Sequence, residues 1–276
     1  MGNLVSIEYL NEHLNDKDIV IVDCRFNLTN PDQGRKDYKE GHIPGAFFLD
    51  LDKDLSGEKY THGGRHPLPN IEVFVDKIEK IGIDNTKQVV IYDDQNGPFA
   101  SRLWWMLKYL GHNRASVLNA NYSTWKNQGY PISKEIPSED KTNFNVDIQN
   151  DMILDVDQVK KITESNNYDL IDSRSFERFI GETEPIDLKA GHIPGAKNYF
   201  WEENVTENGV MKSKKQLESR FSSLGNNKNI AVYCGSGVTA TVNMLALETI
   251  GKKAKLYIGG WSDWSSYEDN LVEKEI

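Results

Sequence analysis

The sequence predicts an α/β protein built from two tandem copies of one domain, each a parallel sheet flanked by helices. The hexapeptide Gly-His-Ile-Pro-Gly-Ala at 41–46 recurs unchanged at 191–196, which indicates an internal duplication. In both halves, short apolar runs alternate with longer runs of helical periodicity, which is the pattern of a parallel sheet. A length of 276 residues suits two domains of ordinary size.

Each copy contains three apolar runs that predict strands and three amphipathic runs that predict helices. In the first copy the strands are predicted at Ile19–Val22, Val89–Tyr92 and Ala115–Leu118, and the helices at Ser6–Leu14, Ile71–Ile81 and Ser101–Leu110. In the second copy the strands are predicted at Tyr168–Ile171, Ile230–Tyr233 and Lys255–Ile258, and the helices at Asp155–Thr163, Lys214–Leu224 and Thr239–Ile250. The polar stretch 137–150 predicts a linker between a first domain over 1–136 and a second over 151–276.

Charged motifs at the ends of the strands also occur twice. The pattern Asp-x-Arg at 23–25 recurs at 172–174, each time at the end of a predicted strand. We interpret these residues as internal ion pairs or hydrogen-bond anchors. His42 and His192 are interpreted as structural, because they occur in both copies, including the copy without the cysteine loop. Cys24 lies within a strand pattern and is interpreted as an inert core thiol.

One cysteine of the second copy lies between a predicted strand and a predicted helix. Cys234 follows the apolar run Ile230–Tyr233, and Gly235 and Gly237 precede the helical pattern that begins at Thr239. Backbone N–H groups in such a loop, together with the helix N-terminus, favour the thiolate, which is the nucleophilic form of cysteine. Ligands of parallel sheets bind at the carboxyl ends of strands, where this residue falls. The pattern therefore predicts a nucleophile at Cys234.

Composition and charge exclude several classes of function. A formal net charge of −10 argues against a nucleic-acid partner, since phosphate binding requires a basic surface. The sequence has no run of 18 apolar residues, so we predict no membrane span. The N-terminal residues show no basic region followed by an apolar segment, so we expect no secretory signal. Met1-Gly2 opens a myristoylation pattern, but no polybasic patch accompanies it. Two cysteines are too few for a disulfide framework, so we expect a reducing, cytoplasmic setting.

The doubled Asp-x-Arg, the doubled hexapeptide and the loop Cys-Gly-Ser-Gly-Val-Thr-Ala at 234–240 resemble the two-domain rhodanese family of sulfurtransferases. The resemblance covers nearly the whole chain. It implies a catalytic second domain and an inactive first domain, in which Asp93 occupies the position of Cys234. It also implies transfer of a sulfane sulfur from a small-molecule donor, 3-mercaptopyruvate or thiosulfate, through a Cys234 persulfide. The implied acceptor is cyanide or a thiol, such as a small thiol or a thioredoxin-like protein.

The resemblance further implies roles for individual side chains. Arg178 matches the family arginine that grips the carboxylate or sulfonate of the donor, for which a planar guanidinium fork is suited. Ser236, His66 and Asp52 match the serine, histidine and aspartate of a proton relay proposed for mercaptopyruvate enzymes. Such a relay would protonate the departing pyruvate enolate, and histidine titrates near neutral pH.

The cysteine loop is expected to hold the donor and the anionic sulfur through its backbone N–H groups. Thr239 is equally well interpreted as a helix cap. A second arginine, which follows a Glu-Pro pair in mercaptopyruvate enzymes, is absent: Ile186 stands there, and Lys189 is the nearby candidate cation. The loop favours mercaptopyruvate, whereas the missing arginine leaves the choice of donor open. The donor-binding candidates of the loop are Gly235, Gly237, Val238 and Thr239.

Two other classes of function remain to be weighed. A non-catalytic binding or regulatory module of the same fold would have an unreactive Cys234. A cysteine phosphatase needs an arginine six positions after the cysteine, where this chain has Ala240. We expect no cofactor, and we expect no metal because glycines separate His62 from His66 and prevent a helical ligand face.

Overall fold

A computed structural model of the chain describes residues 2–165, 167–225 and 228–274. These residues form two compact units. Unit 1 contains residues 2–57, 68–149 and 205–211, and unit 2 contains the other described residues, including 58–67. Each copy of the sequence therefore contributes a short segment to the other copy's unit. Met1 of the myristoylation pattern and the last two residues of the predicted second domain lie outside the described residues.

Unit 1 is built on a five-stranded parallel sheet in the order β1-β5-β4-β2-β3. Val22 of β2 pairs with Ile91 of β4, and Val90 of β4 pairs with Ser116 of β5, so the longest strands form the centre. The strands are β1 (Leu4–Val5), β2 (Ile19–Asp23), β3 (Ala46–Phe48), β4 (Gln88–Tyr92) and β5 (Ala115–Leu118). The helices are α1 (Ile7–Glu12), α2 (Gln33–Glu40), α3 (Ile71–Lys80), α4 (Pro98–Tyr109) and α5 (Tyr122–Asn127).

Unit 2 repeats this topology with a parallel sheet in the order β6-β10-β9-β7-β8. The strands are β6 (Ile153–Leu154), β7 (Tyr168–Asp172), β8 (Lys197–Asn198), β9 (Asn229–Tyr233) and β10 (Lys255–Tyr257). The helices are α6 (Val156–Thr163), α7 (Phe176–Phe179), α8 (Lys214–Arg220), α9 (Ala240–Thr249) and α10 (Gly260–Trp264). The predicted duplication of an α/β domain with a parallel sheet is thus confirmed.

Local sequence signals explain where several helices begin. The side chains of Asp155 and Ser213 each accept a hydrogen bond from the backbone N–H three residues later. In return, the backbone N–H of each capping residue donates to the side chain of the glutamine at that later position, which completes a capping box. The predicted helix Lys214–Leu224 ends instead at Arg220, and turns follow to Leu224. The apolar pattern continues past the end of the helix because the turns that follow also bury apolar side chains, such as those of Phe221 and Leu224. Apolar spacing alone therefore does not locate the end of this helix.

Each sheet packs one cluster of buried apolar side chains against its helices. In unit 1 the cluster joins β2 and β4 to α1 and α5, and in unit 2 it joins β7 and β9 to α6 and α10. The first cluster includes Leu10, Ile21, Val90, Tyr92 and Trp125. The second includes Val159, Leu170, Ala231, Tyr233 and Trp261. Burial of aromatic and branched side chains of this size is the main stabilising term for such a fold.

The predicted linker forms neither helix nor strand over 137–149, a range that the structure describes throughout. It is nevertheless fastened to unit 1. Thr142 N–H donates to the Glu79 carbonyl at 3.1 Å, Gln149 N–H donates to the Tyr109 carbonyl at 2.8 Å, and Phe144 is buried. A stretch whose composition predicts a linker therefore lies along the surface of unit 1.

The described helices include none with the length and apolar composition needed to cross a lipid bilayer.

The recurring Asp-x-Arg motif forms a buried ion pair at the end of the second strand of each unit. Arg25 Nη2 lies 2.6 Å from Asp23 Oδ2 and donates to the Gly41 carbonyl at 2.8 Å. Arg174 repeats both contacts, with Asp172 and with the Gly191 carbonyl, each at 2.6 Å. Each arginine thus ties its strand to the start of the recurring hexapeptide segment.

Removing Arg25 should destabilise unit 1 strongly. Arg25→Ala leaves the Asp23 carboxylate buried without its cation, which we expect to lower the free energy of unfolding by about 3–5 kcal/mol. Lys36→Ala removes one positive charge from an exposed position and should change it by about 0.5 kcal/mol or less. Urea denaturation followed by circular dichroism measures both; equal effects would contradict the anchoring role.

Candidate active site

The loop that carries Cys234 joins β9 to α9 and is hydrogen-bonded to α10. The carbonyl oxygen of Cys234 accepts a hydrogen bond from Trp261 N–H at 2.7 Å, and that of Gly235 accepts one from Ser262 N–H at 2.8 Å. The Cys234 residue is 1 % exposed. The loop is therefore fixed by its own carbonyl groups, and its N–H groups are not needed for that purpose.

Glycine is required at two places where backbones approach each other. Gly237 has φ of +72°, and a Cβ atom there would collide with the carbonyl oxygen of Ile258. Gly260 has φ of +61°, and a Cβ atom there would lie 2.6 Å from the carbonyl oxygen of Cys234. The close contact between the cysteine loop and the start of α10 depends on both glycines.

Several N–H groups of the cysteine loop have no acceptor in the protein. Among the residues that the structure describes, the N–H groups of Gly235, Ser236, Val238 and Thr239 donate no hydrogen bond. Thr239 is the N-cap residue of α9 by position, but its side chain makes no capping hydrogen bond. A set of N–H donors at a helix N-terminus is suited to holding an anion.

Unit 1 fills the corresponding loop with a carboxylate. Asp93 follows β4 as Cys234 follows β9, and its side chain is 2 % exposed. Its Oδ1 accepts from the N–H groups of Gln95 and Gly97, and its Oδ2 from those of Phe99 and Ala100, at 2.9–3.0 Å. Burial raises the pKa of Asp93, and the four N–H groups oppose that shift. In the described part of unit 2, the N–H groups of the corresponding loop have no carboxylate that accepts from them in this way.

A serine and a histidine meet beside the cysteine loop. His66 Nδ1 and Ser236 Oγ are 2.7 Å apart, and both residues are buried. The segment 58–67 that carries His66 is held against α10 by hydrogen bonds from Gly63 N–H to Asp263 Oδ1 at 2.7 Å and from Arg65 N–H to Ser262 Oγ at 3.0 Å. Two residues of the predicted relay are therefore in contact within unit 2.

The third residue of the predicted relay lies in unit 1. Asp52 follows β3 in a turn, where its N–H donates to Asp50 Oδ1 at 3.0 Å. Its role as the partner of His66 stays a prediction.

Three arginines and two buried carboxylates form a network in unit 2. Arg178 donates to Glu184 through Nε and Nη2 at 2.7–3.2 Å and to Asp187 through Nη2 at 3.0 Å. Arg174 donates to Glu184 at 3.1 Å, and Arg65 forms an ion pair with Asp187. Burial and the nearby Arg178 guanidinium lower the pKa of Arg65, while the Glu184 carboxylate opposes this shift. The network holds Arg178 and Arg65 in fixed directions beside the loop.

The two candidate donor-binding cations lie in different surroundings. Arg178 Nη1 would lie 3.7 Å from a Cβ atom built on Gly235. Lys189 Nζ donates to the carbonyl groups of Tyr267 at 2.7 Å and Glu268 at 3.1 Å. The contacts of Arg178 agree with the predicted donor site, and those of Lys189 give its predicted role no support.

Sequence reasoning did not identify Arg65. Its Nη2 would lie 2.8 Å from a Cβ atom on Gly235, closer than any atom of Arg178. The signal for it was its place next to His66 in the sequence Gly-Gly-Arg-His-Pro at 63–67.

No cluster of three or more His, Cys, Asp or Glu side chains suited to a metal ion occurs among the described residues.

Comparison with known proteins gives the same family for both halves of the chain. The family model of the rhodanese-like domain matches residues 6–128 and again 155–267. The 3-mercaptopyruvate sulfurtransferase of Escherichia coli K12 is 35% identical over 278 residues, which cover 98% of this chain and 97% of the relative. The thiosulfate sulfurtransferase of Cricetulus griseus is 32% identical over 273 residues, covering 95% and 91%.

A solved structure shares the whole architecture. The crystal structure of SseA from Escherichia coli, described with the rhodanese fold of 3-mercaptopyruvate sulfotransferases, matches with a TM-score of 0.84 and 33% sequence identity. The match covers 95% of this chain and 100% of that chain.

Substituting the carboxylate in the unit 1 loop should destabilise that unit. Asp93→Asn places an amide NH₂ where an oxygen accepts two N–H groups, so we expect a loss of about 1–3 kcal/mol in the free energy of unfolding. Asp94→Asn is the matched control, because an amide can bond both polar groups of Ser123 that the Asp94 carboxylate bonds near the surface. Chemical denaturation of both variants provides the measurement, and an Asp93→Asn protein as stable as the control would refute this role.

Proposed function

Because the chain belongs to the rhodanese-like family and is a sulfurtransferase, we propose that Cys234 carries the transferred sulfur as a persulfide. The observation that supports this most directly is the contrast between the two loops. Unit 1 satisfies its loop N–H groups with the Asp93 carboxylate, whereas several N–H groups of the unit 2 loop donate no hydrogen bond among the described residues and can stabilise the thiolate and persulfide of Cys234. On this proposal residues 151–276 form the catalytic domain and 1–136 the inactive one, joined through 137–150.

The first half-reaction breaks a bond to the outer sulfur of the donor. With thiosulfate, the Cys234 thiolate attacks that sulfur, the S–S bond breaks, and sulfite leaves with the bonding electrons. With 3-mercaptopyruvate, the C–S bond breaks, the carbon becomes the enolate carbon of pyruvate, and the proton of the mercapto group is transferred to it. Both routes leave Cys234 as an anionic persulfide, which N–H groups stabilise as they would a thiolate.

The second half-reaction returns the enzyme to its starting state. An acceptor thiolate or cyanide attacks the outer sulfur of the persulfide, and the Cys234 thiolate is the leaving group. Neither half-reaction requires a cofactor. We propose a small thiol or a thioredoxin-like protein as the acceptor and a reducing, cytoplasmic location, which suits the free thiols of Cys24 and Cys234.

The donor is 3-mercaptopyruvate or thiosulfate on this proposal, and the contact between His66 and Ser236 favours the former. Only the reaction with mercaptopyruvate has a leaving group, the enolate of pyruvate, whose carbon must receive a proton. A hydroxyl hydrogen-bonded to an imidazole, with Asp52 as the third member, can deliver one. Arg178 binds the donor carboxylate.

Replacing the nucleophile should abolish turnover. Cys234→Ser is expected to give no product from either donor, while intact mass spectrometry of the wild type after donor treatment shows a protein heavier by one sulfur atom. Cys24→Ala is the control: burial raises the pKa of the Cys24 thiol well above its usual range, so this thiol stays protonated and unreactive. A persulfide that persists in Cys234→Ser and is lost in Cys24→Ala would overturn the proposal.

Disrupting the serine–histidine contact should affect the two donors differently. We expect Ser236→Ala and His66→Asn to lower kcat for 3-mercaptopyruvate by about 10²- to 10⁴-fold, the usual range for loss of general acid catalysis. Turnover of thiosulfate should fall much less, because sulfite leaves without needing a proton. Steady-state assays with both donors test this; equal losses for the two would exclude a proton relay and point to a packing role.

A further inference from the structure

The helix α10 holds two parts of the candidate site at once. Trp261 N–H donates to the carbonyl oxygen of Cys234 at 2.7 Å, which fixes the cysteine loop. Two residues further on, Asp263 Oδ1 accepts from Gly63 N–H at 2.7 Å, which fixes the segment that carries His66. The placement of the imidazole relative to the cysteine loop therefore depends on both hydrogen bonds.

We propose that Asp263 is a positioning residue for the proton relay: its carboxylate fixes the backbone of the segment that carries His66 and so keeps the imidazole against Ser236. This inference rests on the proposed function and deepens it. The Asp263 residue is 5 % exposed, so its carboxylate meets protein atoms rather than solvent. His66 Nδ1 and Ser236 Oγ are 2.7 Å apart, and a shift of the segment by about 1 Å would break that hydrogen bond.

The Asp263 carboxylate is itself fixed by Tyr257. The Tyr257 hydroxyl donates to Asp263 Oδ2 at 2.7 Å, and this tyrosine is buried on β10. Burial and the Asp263 carboxylate raise the pKa of the Tyr257 phenol, so the phenol stays protonated and remains a donor. One carboxylate oxygen is thus anchored to the sheet, and the other is directed at Gly63. A carboxylate accepts a stronger hydrogen bond than a neutral oxygen does.

Two neighbouring contacts also hold this segment. Arg65 N–H donates to the Ser262 hydroxyl at 3.0 Å, and the His62 ring stacks on the Tyr267 ring with centroids 4.0 Å apart. The Ser262 hydroxyl is a neutral acceptor, and His62 is exposed. Of these three contacts, the hydrogen bond from Gly63 is the one to a buried charged group, so we expect it to contribute most.

Unit 1 provides an internal comparison, because its helix α5 occupies the position of α10. Tyr122 N–H donates to the carbonyl oxygen of Asp93 at 3.0 Å, in the same way as Trp261 N–H does to its loop in unit 2. Two residues after Tyr122 stands Thr124, at the position of Asp263. The fold therefore forms this helix without a carboxylate at that position.

The tyrosine also has an apolar counterpart in unit 1. Leu118 of β5 pairs with Val5 of β1, as Tyr257 of β10 pairs with Leu154 of β6. Leucine thus stands where unit 2 has Tyr257. Burying a carboxylate costs free energy, and the core of this fold does not require one at that place. What the tyrosine–aspartate pair adds in unit 2 is the contact with the segment that carries His66.

The first test gives unit 2 the residues of unit 1. Asp263→Thr combined with Tyr257→Leu removes the carboxylate together with the hydroxyl that it accepts from. We expect kcat for 3-mercaptopyruvate to fall by about 10- to 100-fold, since a displacement of roughly 1 Å can cost a factor of that order. Turnover of thiosulfate should fall much less, because sulfite leaves without needing a proton. Equal losses with the two donors would overturn the inference.

Two further variants support this comparison. Asp269→Thr makes the same change at an exposed position six residues after Asp263, and it should leave kcat for both donors unchanged. Should the double variant fail to fold, Asp263→Ala removes the acceptor of the Gly63 N–H and leaves Tyr257 in place. The same selective loss for 3-mercaptopyruvate is expected from Asp263→Ala, and its absence would overturn the inference.

A double-mutant cycle asks whether Asp263 acts through the contact of His66 with Ser236. In a Ser236→Ala protein that contact is already lost, so adding Asp263→Ala should cause little further loss of kcat for 3-mercaptopyruvate. Losses that multiply would show that Asp263 affects turnover by another route and would contradict the inference.

Hydrogen exchange measures the positioning without any turnover. Peptides that cover residues 58–67 should exchange faster by about 10-fold or more in Asp263→Ala, because the Gly63 N–H loses its acceptor and the segment opens more readily. Asp269→Thr should leave the exchange of these peptides unchanged. An exchange rate in Asp263→Ala equal to that of the wild type would show that the carboxylate does not hold the segment.

The failure of this inference differs from the failure of the proposed function. If intact mass spectrometry of the wild type finds no additional sulfur on Cys234 with either donor, the proposed function is wrong, and the exchange rates still decide whether Asp263 holds the segment. If the persulfide forms and His66→Asn selectively slows 3-mercaptopyruvate, but the Asp263 variants match the wild type, only the role of Asp263 is wrong.

Discussion

Each copy of this fold places backbone N–H donors at the junction of a parallel strand and the next helix, and the two copies differ in whether a carboxylate of the chain accepts from them. A buried N–H group without an acceptor is costly, so such a loop needs an anion. In unit 1 the anion is the side chain of Asp93, covalently attached and bonded to four N–H groups. In unit 2 the residue at that position is Cys234, and the N–H groups of Gly235, Ser236, Val238 and Thr239 donate no hydrogen bond among the described residues. The two loops also differ at the positions that follow, Asp94–Phe99 against Gly235–Thr239, so the carboxylate is one of several differences between them.

In unit 2 the structural ion pair extends into a larger network of arginines and carboxylates. In unit 1, Arg25 bonds Asp23 and the Gly41 carbonyl, and it serves to anchor a strand. In unit 2, Arg174 makes the same two contacts and also bonds Glu184, which in turn bonds Arg178. Glu184 lies between two guanidinium groups, so its removal would leave both arginines without that partner. The anchor inherited by both copies therefore positions a cation in only one of them.

The sequence predicted the long elements and failed on the short ones for a physical reason. Central strands such as Ile19–Asp23 and Asn229–Tyr233 carry unbroken apolar runs because neighbouring strands and helices bury them on both faces. Strands of two residues, such as Leu4–Val5 and Lys197–Asn198, have no period to detect. Their positions follow from pairing with β5 and β7, which is tertiary information.

The site was predicted where its residues are adjacent in sequence or carry a motif. The cysteine loop is recognisable in the sequence by its two glycines, and Ser236 lies between them. The pairing of His66 with Ser236 followed from resemblance alone, since nothing local relates residues 170 positions apart. Arg65 was not predicted, because it contacts Asp187 and lies near Gly235, which are both far from it in the sequence. No local sequence pattern indicates that these segments meet.

Segment 58–67 shows what the first copy contributes to unit 2, although that copy's own loop after β4 has Asp93 in place of a cysteine. This segment belongs to the first copy by sequence but packs in unit 2, where Gly64 has φ of +84° and approaches Gly259 too closely for any side chain. That approach brings a histidine to Ser236 and an arginine to Gly235 on consecutive residues. The second copy supplies the strand and the helix on either side of Cys234, and the first supplies two side chains beside that loop. A chain that began at residue 151 would therefore lack both side chains.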